Sequence, residues 1–179
     1  MEDYSQTLKI PKERIAVLIG TKGVTKRMLE SQTKTKIKVN AEGDVDISGE
    51  SYDTWMTRQV VKAIGRGFSP EKSLLLLEDE YSFEMIELTD FANNDNKMTR
   101  LKSRVIGTEG KARATIEEIT MCHVSVYGKT ISIIGKTENV FVAKKAIEML
   151  LTGAQHATVF KMLETERKEM YKKEILGGE

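Results

Sequence analysis

The chain has 179 residues, 40% of them apolar and 31% charged, with a formal net charge of +1, enough for one medium core or two small ones. No run nears the roughly 18 apolar residues of a membrane span, and the start Met-Glu-Asp-Tyr-Ser-Gln shows no basic-then-apolar leader pattern. Cys122 is the sole cysteine, which excludes an internal disulfide and a thiolate metal cluster; a soluble, cytoplasmic protein is expected.

Thr7 to Ile10 alternates apolar and polar residues like a short strand. Pro11 suits a helix start, and Ile15, Leu18 and Ile19 give that helix an apolar stripe. Gly20 to Gly23 interrupts it, and Val24 to Thr33 resumes it with Met28 and Leu29 inward. Lys36 to Val39 and Val45 to Ser48 read as a hairpin turning at Gly43. Ser51 is placed to cap a long helix carrying Trp55, Val60, Ala63 and Ile64. Ser69-Pro70 starts a short linker helix, and the run Leu74 to Leu77 predicts burial on several sides.

The same order then returns. Tyr81 to Leu88 alternates as a strand, and Asp90 to Asn96 is polar and turn-like. Helices are predicted over Met98 to Ile106 and Lys111 to Thr120. A hairpin follows, Cys122 to Val126 and Thr130 to Ile134, turning at Gly128. Thr137 to Leu151 is a helix with Val140, Phe141, Ala143, Ile147, Leu150 and Leu151 inward. A last helix, Ala154 to Ile175, places Val159, Leu163, Met170 and Ile175 along one side.

The two halves are copies. Ile19-Gly-Thr-Lys-Gly23 reappears as Ile106-Gly-Thr-Glu-Gly110, an offset of 87 residues. At that offset Leu29 falls on Ile116, Thr33 on Thr120, Ile37 on Val124 and Val39 on Val126. Beyond the hairpin turn the second copy is one residue shorter. Self-similarity of this length outweighs any single motif.

Charge gathers on the same feature. Lys9, Lys12, Arg14, Lys22, Lys26, Arg27, Lys34, Lys36 and Lys38 surround the first loop; Lys97, Arg100, Lys102, Arg104, Lys111 and Arg113 surround the second. Acidic residues Glu71, Glu78, Asp79, Glu80, Glu84, Glu87, Asp90 and Asp95 lie between. Basic patches on a repeated glycine loop are the footprint of a polyanion binder.

Strand, helix, Gly-x-x-Gly, helix, strand, strand, helix resembles the type I KH domain, over roughly residues 6–66 and 81–153. The resemblance implies an α+β fold of two tandem KH domains, each a three-stranded antiparallel sheet packed by helices. The divisions expected are 1–68, a linker helix at 69–80, 81–153, and a C-terminal helix at 154–179 packed on the second domain. KH loops clamp about four nucleotides of a single strand. More narrowly, Arg66 to Lys72, the leucine run and Ser103 to Arg113 are similar to the Dim/partner-of-Nob family, in its compact archaeal form. That implies a monomeric small-subunit ribosome assembly factor binding near the 3′ end of small-subunit ribosomal RNA. It further implies protein partners such as the 3′-end nuclease or a translation initiation factor subunit. In eukaryotic relatives the first module tends to lose its glycine loop; here both are intact.

The candidate RNA-binding residues are Gly20, Thr21, Lys22, Gly23, Lys26 and Arg27 in the first copy. Those in the second are Lys102, Arg104, Ile106, Gly107, Thr108, Glu109, Gly110, Lys111, Arg113, Val124 and Val126. Phosphates would sit on the loop glycines at the positive end of the following helix. Bases would lie against aliphatics including Ile19, Val24, Met28, Ile37 and Val39, or Val105, Ile106, Ala114, Val124 and Val126. The second loop, with four basic neighbours, is expected to dominate despite Glu109. Gly107→Asp with Gly110→Asp is expected to spare the fold and weaken binding.

Two other function classes are kept open: a messenger- or transcription-linked RNA-binding regulator, and a metal-dependent RNA-processing enzyme using Glu78-Asp79-Glu80. The segment Ser132 to Thr137 imitates the end of a phosphate-binding P-loop, but Thr130 stands where its first glycine belongs. His123 and His156 have no evident metal or nucleophile partner. No catalytic constellation, metal site or cofactor is called for.

Overall fold

The computed structural model describes residues 4–177. It divides into two compact units at residues 81 and 82. The first holds β1 (Tyr4–Lys9), α1 (Lys12–Ile19), α2 (Val24–Thr33), β2 (Lys36–Val39), β3 (Asp44–Gly49), α3 (Ser51–Gly65) and the short α4 (Pro70–Leu74). The second holds β4 (Tyr81–Glu87), α5 (Asp95–Ile106), α6 (Lys111–Thr120), β5 (His123–Tyr127), β6 (Thr130–Lys136), α7 (Thr137–Leu151) and α8 (His156–Leu176).

Each unit has a three-stranded antiparallel sheet with its hairpin return strand in the middle, ordered β1-β3-β2 and β4-β6-β5. Lys9 pairs with Asp44 and Val39 with Val45 in the first sheet; Tyr127 pairs with Thr130 across the tight second hairpin. The first hairpin turn is longer because Asn40 organises it, its Oδ1 accepting the Glu42 and Asp44 amides at 2.9 Å each. The one-residue shortening of the second copy lies in this turn.

Helices cover one face of each sheet. Val45 and Ile47 of β3 are buried with Leu18, Leu29, Val60, Val61 and Ile64; in the second unit Ile131 and Ile133 are buried with Val105, Ile116, Val140 and Ile147. Alternation along the middle strands and helical spacing on the helices thus meet in one core per unit.

Several elements differ in detail from the sequence reading. Ser51 is the first helical residue of α3, and Glu50 occupies the cap without a side-chain bond. Asn94 caps α5 through its Oδ1 and the Lys97 amide, 2.8 Å apart, which starts that helix at Asp95 rather than Met98. In the leucine run Leu76 is buried while Leu74, Leu75 and Leu77 are half-buried, where α4 passes into a tighter 3₁₀ turn against α3. Phe141, expected inward, is 60% exposed, and its counterpart Trp55 is 50% exposed. Helix α8 packs on α6 and α7 through Val159 and Leu163, but Ile175 is 62% exposed. Its last turns extend past the surface that could bury them.

Candidate nucleic-acid interface

In each unit the first helix stops at a glycine because its last amide turns back. Gly20 N–H donates to the Ala16 carbonyl at 2.9 Å and Gly107 N–H to Ser103 at 2.8 Å. The two glycines take φ/ψ of 73/172° and 74/176°, a region essentially closed to other residues. The third loop residue, Lys22 or Glu109, is left-handed at φ 51° or 55°, and Gly23 and Gly110 are left-handed at φ 75° and 74°. The two loops therefore have one backbone. Neither following helix has a side chain capping its first turn, so its positive end faces outward for an anion.

The glycines of a pair do different jobs. A Cβ at Gly20 would lie 2.2 Å from Thr25 Oγ1, and one at Gly107 would lie 2.6 Å from Ala112 Cβ and 2.8 Å from its amide nitrogen. At Gly110 nothing lies within 4 Å, and at Gly23 only the mobile end of Arg27 is near, 3.0 Å away. Gly20 and Gly107 thus fit the loop to its own helix, while Gly23 and Gly110 leave the outer surface bare. The expectation that Gly107→Asp with Gly110→Asp spares the fold does not hold at Gly107; Gly110→Asp alone meets no neighbour and bears only the strain of its left-handed φ of 74°.

Side chains distinguish the loops. In the first, exposed Lys22 stands at the tip and the Arg27 guanidinium lies over Gly23. In the second, Glu109 stands at the tip and holds Lys111 at 3.6 Å, both side chains 77% exposed. One position further along, the copies agree. Lys26 pairs with Glu30 at 3.0 Å and Arg113 with Glu117 at 3.9 Å. Each glutamate also accepts the amide of the facing strand, Ile37 or Val124, at 2.8 Å. Lys26 and Arg113 are therefore tied to a carboxylate that fixes the strand beside the loop, which reduces their value as phosphate ligands.

Arg104 is a correction. Its guanidinium donates to the Leu150 carbonyl at 3.0 Å and to the Ala154 carbonyl, holding the end of α7. Arg14 does the same for α3, donating to Ile64 at 2.8 Å and Phe68 at 2.7 Å. The acceptors correspond between the copies, but the donors do not: Arg14 aligns with Leu101 and Arg104 with Val17. One helical turn separates the two sources of the same bond. Arg104 belongs to this structural clamp rather than to a phosphate site.

The proposed base-facing aliphatics also divide. Ile37, Val105 and Val124 are buried core residues, out of reach of a base. Ile19, Met28, Val39, Ile106 and Val126 are half-buried, Ala114 is exposed, and Val24 is 58% exposed. Thr21 and Thr108 are exposed on their loops and Lys102 is half-buried on α5.

One feature escaped the sequence reading. Behind the second loop lies an open cleft of about 450 Å³ lined by residues of α5, the loop, α6 and α8, among them Thr108, Lys111, Thr115, His156 and Phe160. The His156 Nε2 lies 2.7 Å from the Arg104 carbonyl. A carbonyl only accepts, so that nitrogen carries the proton. Its ring sits 5.9 Å from that of Phe160, tilted by 59°. The signal available in sequence was the His156/Phe160 spacing at one helical turn, which without the packing of α8 has no direction.

Comparison with known proteins gives consistent matches. The general KH domain matches residues 5–63, and the second KH domain of PNO1, a eukaryotic-type (type I) KH domain, matches residues 82–168. A KH domain-containing protein of Methanocaldococcus jannaschii is 48% identical over 170 residues, covering 92% of this chain and 75% of that protein. The RNA-binding protein pno1 of Dictyostelium discoideum is 29% identical, covering 92% of this chain and 72% of its own length. Among solved structures, Dim2p in the a/eIF2alpha–aDim2p–rRNA complex of Pyrococcus horikoshii superposes with a TM-score of 0.87 at 43% identity, covering 93% of this chain and 96% of that one. A protein of unknown function from Aeropyrum pernix superposes with a TM-score of 0.93 at 33% identity, covering 99% and 97%.

Proposed function

This chain belongs to the Dim2/PNO1 family of tandem type I KH-domain proteins, and from that premise we propose that it is a non-catalytic, single-strand RNA-binding factor of small-subunit ribosome assembly. The observation that carries the reading is the duplicated glycine loop, built twice with one set of backbone angles and set each time at an uncapped helix start. A loop of this kind clamps a sugar–phosphate strand by close approach, with the helix dipole facing the phosphates.

The strand proposed is the 3′ region of small-subunit ribosomal RNA. The Pyrococcus relative was crystallised with rRNA and a/eIF2alpha, which supports the same two classes of partner here. The nuclease that matures that RNA end is a further proposed partner. The chain would act in the cytoplasm; among the described residues no helix is long and apolar enough to cross a membrane.

Within that reading the larger share of phosphate affinity is assigned to the first loop. Lys22 and Arg27 are its cations, whereas three of the four cations counted for the second loop are drawn off, Lys111 by Glu109, Arg113 by Glu117 and Arg104 by two carbonyls, which leaves the half-buried Lys102. The test is anisotropy titration of a short rRNA 3′-end strand over a range of salt. Log affinity should fall with log salt, by about 0.7 per phosphate neutralised. A flat salt response, or equal binding of duplex RNA, would refute the clamp.

A further inference from the structure

The cleft behind the second loop lies on the wrong side of α6 for the groove just described. At about 3.6 residues per turn, Lys111 and Thr115 project from the side of α6 opposite Arg113 and Glu117, and Glu117 faces β5 through the Val124 amide. The wall across from Lys111 and Thr115 is α8; the helix that starts at the aligned position of the first copy, α4 at Pro70, is only five residues long and packs on α3. In that copy the positions aligned with Lys111 and Thr115 are Val24 and Met28, both apolar; by the same spacing they project away from the groove that Glu30 faces through the Ile37 amide, which corrects their place among the base-facing residues.

What the cleft offers is specific. It is lined by Gly107 and Thr108 of the loop, by Lys111 and Thr115 of α6, and by His156 and Phe160 of α8. Two helices, α6 and α8, begin at its rim with Lys111 and His156, and neither start has a side-chain cap. Two positive helix ends favour a phosphate, and an aromatic wall favours a flat ring. The volume of about 450 Å³ lies within the roughly 300–1,000 Å³ of small-molecule sites and admits one nucleotide.

We propose that this cleft holds one nucleotide of the strand clamped by the second loop, its base against Phe160 and His156 and its phosphate at the rim where α6 and α8 begin. The strand would leave the groove, pass over bare Gly110 and Thr108, and turn behind the loop, so that the second module grips RNA on both sides. This rests on the RNA-binding reading and adds to it a second contact surface that the first module lacks.

The test uses the full chain carrying Gly23→Asp to silence the first loop. Two single strands are titrated: one of about four nucleotides, the span of the loop itself, and one extended by about two nucleotides at each end. The extended strand should bind about tenfold more tightly, the order of one stacked base. Phe160→Ala should erase that gain and leave the short strand unchanged. Thr115→Glu, at a half-buried position lining the cleft, introduces negative charge there and should do the same. Loss of the gain in Thr115→Glu supports the cleft even if Phe160→Ala unfolds. A gain that survives Thr115→Glu overturns it while the RNA-binding reading stands, and failure of the short strand to bind sinks both.

Discussion

The first glycine loop carries a lysine at its tip and the second a glutamate, yet their backbones coincide within a few degrees. The first is a charge device: Lys22 and Arg27 stand at the loop with no carboxylate partner among the described residues. The second is a shape device, with its tip charge neutralised by Lys111 at 3.6 Å and a cleft behind it that α8 completes. One fold copied twice thus keeps the clamp geometry while changing what surrounds it. Backbone shape and electrostatics are separable, because the first is set by glycine positions and the second by side chains on the neighbouring turn.

The largest break in this comparison comes from the arginine clamps. Arg14→Leu should destabilise the first unit by about 3 kcal/mol, since two partly buried carbonyls lose a charged donor. Adding Val17→Arg, which installs the donor at the second copy's position, should recover most of that in a urea titration. No recovery would mean that the two clamps are not equivalent.

Next in size are the loops. Gly23→Asp should weaken binding of a short RNA strand about thirtyfold, through lost approach and added negative charge at the helix start. Gly110→Asp should cost less, about fivefold, because less of the affinity there is phosphate-driven; the reverse order would return dominance to the second loop. A charge exchange is finer still. Lys22→Glu and Glu109→Lys should move affinity in opposite directions by about fivefold each, near 1 kcal/mol for an exposed charge, and the difference should shrink at high salt.

The smallest effect leaves both loops untouched. Burial pushes the Cys122 thiol up to about 11, against the packed backbone of Gly135, where an added Cβ would lie 2.5 Å from the sulfur. At pH 8 the native chain should therefore resist alkylation until the second unit unfolds. The native state favours the protonated thiol, so that contribution is complete below the ordinary 9.0 and is lost as pH rises through about 11. Rapid labelling of the native protein at pH 8 would contradict the burial.

Period and repetition made most of the fold legible before any coordinates. Val24–Thr33, Lys36–Val39, Lys111–Thr120 and Thr137–Leu151 have the bounds that the apolar pattern predicts. Packing-dependent features were not legible. Arg104 sits in a basic cluster, and a cation reads alike in sequence whether it faces a phosphate or a helix-end carbonyl. Phe141 fits the inward stripe of α7 by spacing, yet lies at the stripe's edge, where the sheet no longer covers it. Cys122 occupies the place of Thr35, which in the first unit belongs to a buried hydroxyl chain with Thr33 and Thr57 at 2.8 and 3.2 Å. The second unit fills the same space with sulfur and Ala143. Such exchanges within a core are invisible until the neighbours are known.

Lys22 and Glu109 both hold a left-handed conformation that ordinary residues adopt only at some energetic expense. The fold meets that expense once, when each domain assembles, so an arriving strand finds a rigid mould in place of a segment awaiting order. The entropy lost on association then falls on the nucleic acid alone and should scale with the number of nucleotides immobilised.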